Sequence, residues 1–240
     1  MNANVSLLDQ CLSVLGQYLM YLIICVSILV VCRLLFTIPQ PVFRKMLHFV
    51  AMTSVPYMIY VSYDWKPVVI ISVIFIIAVY PLLALAERWS GFHHFFAEKR
   101  NGEIKRSLVD AFGTHAAVAL VVYGLLDMPY IAMAAILTWG AGDTAAAFFG
   151  LKFGRHKIPF KHADQKKSWE GTIGNGAVSF LVCLGVLLLT SPFTPAKCIL
   201  LSLLVAPVSA AAELFTKNGN DTITVPLANA AVLSLLAMII

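Results

Sequence analysis

The sequence is poor in charge. Only 12% of its 240 residues are Asp, Glu, Lys or Arg, whereas 60% are hydrophobic. A typical soluble domain carries about 25% charged residues. A soluble fold has too little interior to hide this many apolar side chains, but a lipid bilayer accepts them. The composition therefore argues against a soluble protein and predicts an integral membrane protein.

The sequence also lacks features that would indicate other classes. No basic residue precedes Arg33, so the charged start of a cleaved signal peptide is missing and the first apolar run is expected to remain as a helix. The five cysteines lack metal-ligand spacing and lie mostly in apolar runs, which indicates buried thiols. The net charge of +5 resides in short loops, an arrangement typical of membrane topology. We therefore expect no nucleic-acid partner.

Eight apolar stretches approach the roughly 17 to 25 residues that a membrane-spanning helix requires. Prolines lie at or near many of the breaks between them, where a missing N–H group is tolerated. No internal repeat divides the chain. We predict an all-α, polytopic membrane protein with a single catalytic domain, residues 1–240. The predicted spans are 14–36, 46–63, 67–86, 107–126, 129–150, 172–190, 196–214 and 224–240.

The charged residues divide unequally between the two sets of loops. Of the 17 Lys and Arg residues, all but Lys66 and Lys197 fall in or beside the loops near 37–45, 87–106, 151–171 and 215–223. The positive-inside rule assigns these four loops to the cytoplasm and both termini to the other side. Most acidic residues share this bias, although the rule does not require it. We therefore expect a polar site at the cytoplasmic face of a plasma or endoplasmic reticulum membrane.

Asp143 belongs to the most specific motif, Gly-Ala-Gly-Asp-Thr-Ala-Ala-Ala at 140–147. It is expected about two turns inside the end of the fifth helix. A carboxylate at that depth is unfavourable unless it is paired, protonated or bound to a cation. The neighbouring Gly140 and Gly142 allow another backbone or a ligand to approach closely. The motif thus predicts either a cation site at Asp143 or a helix-packing contact with a neutralised aspartate.

A basic segment precedes the sixth helix. Lys166 and Lys167 stand before Ser168, the predicted N-cap of that helix. Two ammonium groups beside a helix N-terminus favour a phosphate group. We count Lys157 and Gly171 with these residues as nucleotide-binding candidates; the alternative is a basic loop that only sets topology. The spacing of a P-loop is absent, so a nucleotide must be held in another way.

Two further carboxylates lie near the last cytoplasmic loop. Glu213 is close to the end of the seventh helix, and Asp221 lies at the start of the eighth. Asp221 either caps that helix or, with Asp143 or Glu213, binds Mg²⁺ between carboxylates and phosphate oxygens.

Five ionisable residues flank the second and third helices. Arg44, Lys45 and His48 open the second helix, and Glu87 and Arg88 close the third. We assign them to the lipid-facing interface of the site. The alternative for the first three is anchoring at the membrane surface by their long side chains.

Together these motifs resemble a family of membrane lipid kinases that includes dolichol kinase, phytol kinase and the CTP-dependent diacylglycerol kinase, and that is related to the CDP-diacylglycerol synthases. The resemblance extends from Arg44 to Pro226 and is most specific in GDTAAAFFGLKFGRHKIP and KKSWEG. In that family the aspartate of the first element and the paired lysines of the second are associated with nucleotide binding. They correspond to Asp143, Lys166 and Lys167.

The resemblance implies phosphoryl transfer from CTP, or from another nucleoside triphosphate such as ATP, to the hydroxyl of a polyprenol, phytol or diacylglycerol. Asp143 would bind Mg²⁺, and Glu213 or Asp221 would complete the metal site or accept the hydroxyl proton. One alternative is a phosphatidate cytidylyltransferase, although the arginine- and aspartate-rich end of such synthases has no counterpart. The other is a transporter or scaffold without catalysis, for which the sequence shows no internal symmetry.

Overall fold

The computed structural model describes residues 6–88, 102–159, 167–216 and 219–240. Within these ranges the chain forms α-helices and no β-strand, which confirms the all-α prediction. The helices overlap the predicted spans, with ends shifted by up to seven residues, the largest shift being at the start of the first helix. They are α1 (Leu7–Leu35), α2 (Gln40–Val61), α3 (Trp65–Ala86), α4 (Glu103–Val118), α5 (Pro129–Phe153), α6 (Trp169–Thr190), α7 (Pro195–Phe215) and α8 (Asp221–Ile239).

Seven helices among the described residues are long and apolar enough to cross a membrane, which confirms a polytopic integral membrane protein. One of them, Ile104–Leu125, consists of most of α4 and its π-helical continuation Ala119–Leu125. The helix outside this set is α2, whose first turns contain Arg44, Lys45 and His48. Charges in that position lower its mean hydropathy.

Local sequence explains where several helices begin. Side-chain oxygens of Ser6, Asp64, Ser168 and Thr194 accept hydrogen bonds from backbone N–H groups of the first turns of α1, α3, α6 and α7. These bonds satisfy donors that have no partner inside the helix. The predicted cap at Ser168 is thus present. All five cysteines are free thiols, but only Cys183 and Cys198 are buried as expected, whereas Cys11, Cys25 and Cys32 are partly exposed.

The helices form two compact units, one ending at Leu120 and the other beginning at Val121. In the first unit α3 packs on α4, and α1 contacts both α2 and α3. In the second unit α5 makes its most extensive contact with α6, α6 packs on α7, α7 packs on α8, and α8 returns to α5. The two most specific sequence motifs lie in this second unit. A single catalytic domain over residues 1–240 stays a prediction.

Candidate functional site

Helices α5 and α6 approach each other closely because glycines line their contact. A Cβ atom added at Gly142 would lie 2.5 Å from Oγ of Ser179 and 2.9 Å from Oδ1 of Asn175. A Cβ atom added at Gly171 would lie 2.9 Å from the main-chain oxygen of Ala146. Real Cβ atoms do not approach polar atoms at such distances, so neither position admits a larger residue without movement. The glycines of both motifs therefore have a packing function.

Asp143 follows Gly142 and is buried, with 7% of its surface exposed. It lies ten residues before the end of α5, or about 15 Å along the helix axis. This is about three turns, one turn deeper than expected, because α5 continues to Phe153. Glu213 in the last turn of α7 is also buried, and both Asp143 and Asp221 lie close enough to repel its charge. The carboxylates of Asp143 on α5 and Asp221 on α8 are thus within electrostatic range of Glu213 on α7.

Lys167 places a positive charge beside one of these carboxylates, that of Glu213. Its Nζ atom lies 3.0 Å from Oε1 of Glu213, and only 19% and 8% of the two side chains are exposed. The same ammonium group donates to the main-chain oxygen of Glu213 and, at 3.2 Å, to that of Thr216. All three donors of Lys167 are therefore directed at the C-terminal end of α7. Sequence reasoning selected both charged residues but missed this pairing.

The chain on either side of residues 160–166 is joined by a short antiparallel bridge between Lys157 and Ser168. The backbone N–H of Ile158 donates to the oxygen of Lys167 at 3.3 Å, and that of Trp169 donates to the oxygen of His156 at 3.0 Å. The bridge holds the backbone of Lys157 against the start of α6, while the side chain of Lys157 is exposed.

Ser168 and Gly171 have structural functions in this arrangement. Ser168 is 2% exposed, and its Oγ accepts from the N–H of Gly171 at 3.3 Å, which caps α6. Gly171 lies against α5, as described above. A contact of either residue with a nucleotide stays a prediction. Lys166 lies outside the described residues.

Glu170 is a residue of this region that sequence reasoning missed. Its Oε1 accepts hydrogen bonds from the backbone N–H of Arg155 at 3.3 Å and from that of His156 at 3.2 Å. The same oxygen lies 2.7 Å from Nδ1 of the His156 ring. An acidic residue in a first helical turn is common, because the helix dipole favours it there. Nothing in that local preference indicates a partner 14 or 15 positions earlier.

Asp221 is the first residue of α8 and is partly buried. Asn220 occupies the N-cap position instead, and its side chain makes no capping hydrogen bond. The capping interpretation of Asp221 therefore lacks support, whereas its proximity to Glu213 agrees with a role in the carboxylate group.

The candidates for the lipid interface lie in the first unit. Glu87 ends α3 and forms an ion pair with Lys105 at 2.7 Å. The ammonium group of Lys105 also lies 5.7 Å from the centre of the Tyr80 ring. Arg88 is exposed. Glu87 thus pairs with a neighbouring helix, one of the alternatives that the sequence left open, and its partner is Lys105.

Lys45 and His48 lie on α2 and are partly buried. Arg44 belongs to the same helix, but its side chain lies outside the described residues. Contact of these three residues with a lipid stays a prediction.

The carboxylates offer oxygen ligands for a metal ion such as Mg²⁺. Within the described ranges no group of three His, Cys, Asp or Glu side chains is arranged to hold a metal ion by itself. Mg²⁺ typically binds through one or two carboxylates and completes its shell with water and substrate phosphates. Asp143 and Asp221 supply the oxygen ligands that this ion prefers, and both lie near Glu213. The residues therefore fit Mg²⁺ held jointly by the protein and a nucleotide.

These features define an integral membrane protein with a buried site of carboxylates and lysine. Residues 4–216 match the cytidylyltransferase family, and the chain belongs to that family. This confirms the family assignment made from the motifs.

The chain is similar to a phytol kinase of Synechocystis sp. The two are 36% identical over 118 residues, which make up 48% of this chain and 49% of the kinase. The match thus spans about half the length of each protein. No solved structure matches the chain.

Proposed function

We propose that the chain is a lipid kinase. It transfers the γ-phosphoryl group of CTP, or of another nucleoside triphosphate such as ATP, to the hydroxyl of a membrane alcohol. Polyprenol, phytol and diacylglycerol are the candidate acceptors. The observation that carries the proposal is the buried ion pair of Lys167 with Glu213, whose carboxylate lies within electrostatic range of Asp143 and Asp221. The similarity to a phytol kinase supports the same reaction class.

The reaction forms a bond between the lipid oxygen and the γ-phosphorus, breaks the bond from that phosphorus to the β,γ-bridging oxygen, and releases the nucleoside diphosphate. The enzyme's task is to position the reactants in line and to stabilise the charge that spreads over the phosphoryl oxygens. Mg²⁺ bound by Asp143 and Asp221 would supply part of that stabilisation. Lys166 and Lys167 bind phosphate oxygens, with Lys157, Ser168 and Gly171 at the edge of the nucleotide site.

Lys167 must change one contact to do this. Its three donors are taken by oxygens at the end of α7. A phosphate oxygen replaces one of the two main-chain acceptors, while the bond to the Glu213 carboxylate can remain. A bond from the ammonium group to an anionic phosphate oxygen is stronger than its bond to the uncharged main-chain oxygen that the phosphate replaces. Glu213 or Asp221 accepts the hydroxyl proton of the lipid.

The site's place near the ends of α6, α7 and α8 suits an acceptor that is dissolved in the membrane. A lipid alcohol keeps its chain in hydrocarbon and presents its hydroxyl at the interface. We assign contacts with the lipid at the membrane interface to Arg44, Lys45, His48, Glu87 and Arg88. The cytoplasmic loops face the nucleotide pool, in a plasma or endoplasmic reticulum membrane.

The family description favours a second candidate, a phosphatidate cytidylyltransferase. In that reaction an oxygen of the lipid phosphate attacks the α-phosphorus of CTP, and diphosphate leaves. The same carboxylates, lysine and magnesium would serve both reactions, so the position of attack distinguishes them.

Labelled nucleotides decide between the two. Purified protein in detergent micelles is given phytol, a polyprenol, diacylglycerol or phosphatidate, each with CTP or ATP. We expect label from the γ-phosphate to appear in one of the alcohols. Transfer of label from the α-phosphate of CTP to phosphatidate would instead establish the cytidylyltransferase. Absence of transfer to every lipid would contradict both.

A further inference from the structure

The contacts of Glu170 link the segment after α5 to the first turn of α6. We propose that Glu170 is a positioning residue. It holds this segment, residues 154–159 with the nucleotide-binding candidate Lys157, in place without touching the nucleotide. The inference rests on the proposed function, because that function gives Lys157 and Lys167 their phosphate-binding role.

The carboxylate of Glu170 collects donors from two consecutive residues. It accepts from the N–H groups of Arg155 and His156 and contacts the His156 ring at 2.7 Å. The two N–H groups follow the end of α5, where they have left the helical hydrogen-bond pattern. Backbone donors near the end of a helix need a partner from outside the helix or from water. The N–H of Arg155 also donates to the main-chain oxygen of Phe153 at 2.8 Å, so Glu170 is a second acceptor for Arg155 and the acceptor for His156.

The helix that carries Glu170 is itself held tightly. Gly171, the residue after Glu170, lies against the main chain of α5, and its N–H donates to the capping Oγ of Ser168. Glu170 therefore attaches the segment to a fixed element. The Lys157–Ser168 bridge comes one residue after His156 and sets the backbone of Lys157 opposite the start of α6. Two sets of contacts thus determine where Lys157 lies relative to Lys167.

A positioning role of Glu170 and its negative charge predict opposite changes in nucleotide affinity when the residue is neutralised. A carboxylate near a polyanionic nucleotide repels it, so neutralising Glu170 should strengthen binding if charge alone mattered. Loss of the contacts instead leaves the segment to be ordered when the nucleotide binds, which weakens binding. The direction of the change therefore separates a positioning role from a purely electrostatic one.

The test compares the intact protein with Glu170→Gln, which keeps the size of the side chain but removes its charge, so that its uncharged oxygen accepts the backbone N–H groups more weakly. Hydrogen exchange at the amides of Arg155 and His156, nucleotide affinity, KM and kcat are measured. We expect faster exchange, a rise of roughly tenfold in Kd and KM for the nucleotide, and a change in kcat of less than about twofold, because ordering affects binding more than chemistry.

Two substitutions of His156 serve as matched controls. His156→Asn retains the backbone donor and offers a side-chain amide in place of the ring nitrogen, so it should stay near the wild-type affinity. His156→Leu loses the side-chain donor and should fall between wild type and Glu170→Gln. This ordering is not expected from a general loss of stability, which thermal unfolding of each variant measures separately.

Unchanged exchange or tighter nucleotide binding in Glu170→Gln would overturn the inference. A wild-type protein that binds no nucleotide would overturn it together with the proposed function. If wild-type protein binds nucleotide but phosphorylates no lipid, the proposed kinase activity fails, and the exchange and affinity measurements still decide the role of Glu170.

Discussion

Lys167 and Glu213 show how single residues determine the character of this site. Removing an ammonium group and a carboxylate from water is unfavourable, and their attraction compensates only when the remaining polar atoms are satisfied. Here the ammonium group uses its other donors on two main-chain oxygens of α7. These contacts tie the segment before α6 to the end of α7, so the pair organises the site as well as supplying charge.

The substitution Lys167→Met should destabilise the protein by about 3 kcal/mol, because it leaves Glu213 as a buried charge without its cation. Unfolding by denaturant in detergent micelles measures the change. The pair of Lys66 with Asp64 is a matched control, since its side chains are 50% and 31% exposed and lie 3.5 Å apart. Lys66→Met should cost less than about 1 kcal/mol. Equal effects of the two substitutions would contradict the assigned role of burial.

Asp143→Asn should reduce lipid phosphorylation by roughly 100-fold or more, in the range found when charge stabilisation is removed from a reaction site. The substitution keeps the shape of the side chain but weakens its bond to a cation, so the protein should remain folded. Activity is measured with the lipid and nucleotide that wild type uses. Asp110→Asn is the control, because Asp110 forms a partly exposed pair with Arg106 on α4. Full turnover of Asp143→Asn would exclude the proposed metal role.

At the scale of whole elements, the contact between α5 and α6 sets the geometry of the site. It sets Gly142, the residue before Asp143, against Asn175 and Ser179 of α6, and Gly171 of α6 against Ala146 of α5. The contact rests on small residues, as is common where helices pack inside a membrane without a hydrophobic driving force between them. This close packing of α5 and α6 therefore explains the glycines of both motifs without a bound nucleotide.

Gly142→Ala should lower the free energy of unfolding by about 1 to 3 kcal/mol, since the new methyl group would overlap Ser179 and Asn175. Gly185→Ala in α6 is the control, because a Cβ atom there has no neighbour within 4 Å. That change should be neutral or stabilise by up to about 1 kcal/mol, given the lower helix propensity of glycine. Denaturant unfolding compares both. A stable Gly142→Ala would show that the helices can separate without loss.

The helices were predictable because their signals are local. The length of the apolar runs and the prolines beside them locate the spans, and Ser168 is identifiable as a cap from its neighbours alone. The pair of Lys167 and Glu213 joins residues 46 positions apart, and Glu170 reaches back 14 and 15 positions. No helical or turn periodicity links such positions. The candidate residues could thus be selected from sequence, but their partners could not.

At the scale of the whole molecule, the distribution of basic residues predicts the orientation in the membrane. Lys152 lies at the end of α5, and Lys157 and Lys167 follow in the loop between α5 and α6. Lys66 and Lys197 instead lie in or beside loops that are predicted on the opposite side of the membrane. The positive-inside rule places the first group in the cytoplasm. Nucleoside triphosphates are cytoplasmic, so the proposed kinase requires this orientation.

Cysteine labelling in intact cells tests the orientation. The five native cysteines are first replaced by alanine, and a single cysteine is then introduced at Tyr63 or at Lys152, both of which are exposed. We expect a membrane-impermeant maleimide to label Tyr63→Cys in intact cells and Lys152→Cys only after permeabilisation. Retained lipid kinase activity shows that each variant is folded. The reverse pattern would place the carboxylates and Lys167 on the side without nucleotide, and a cytoplasmic phosphoryl donor would then be excluded.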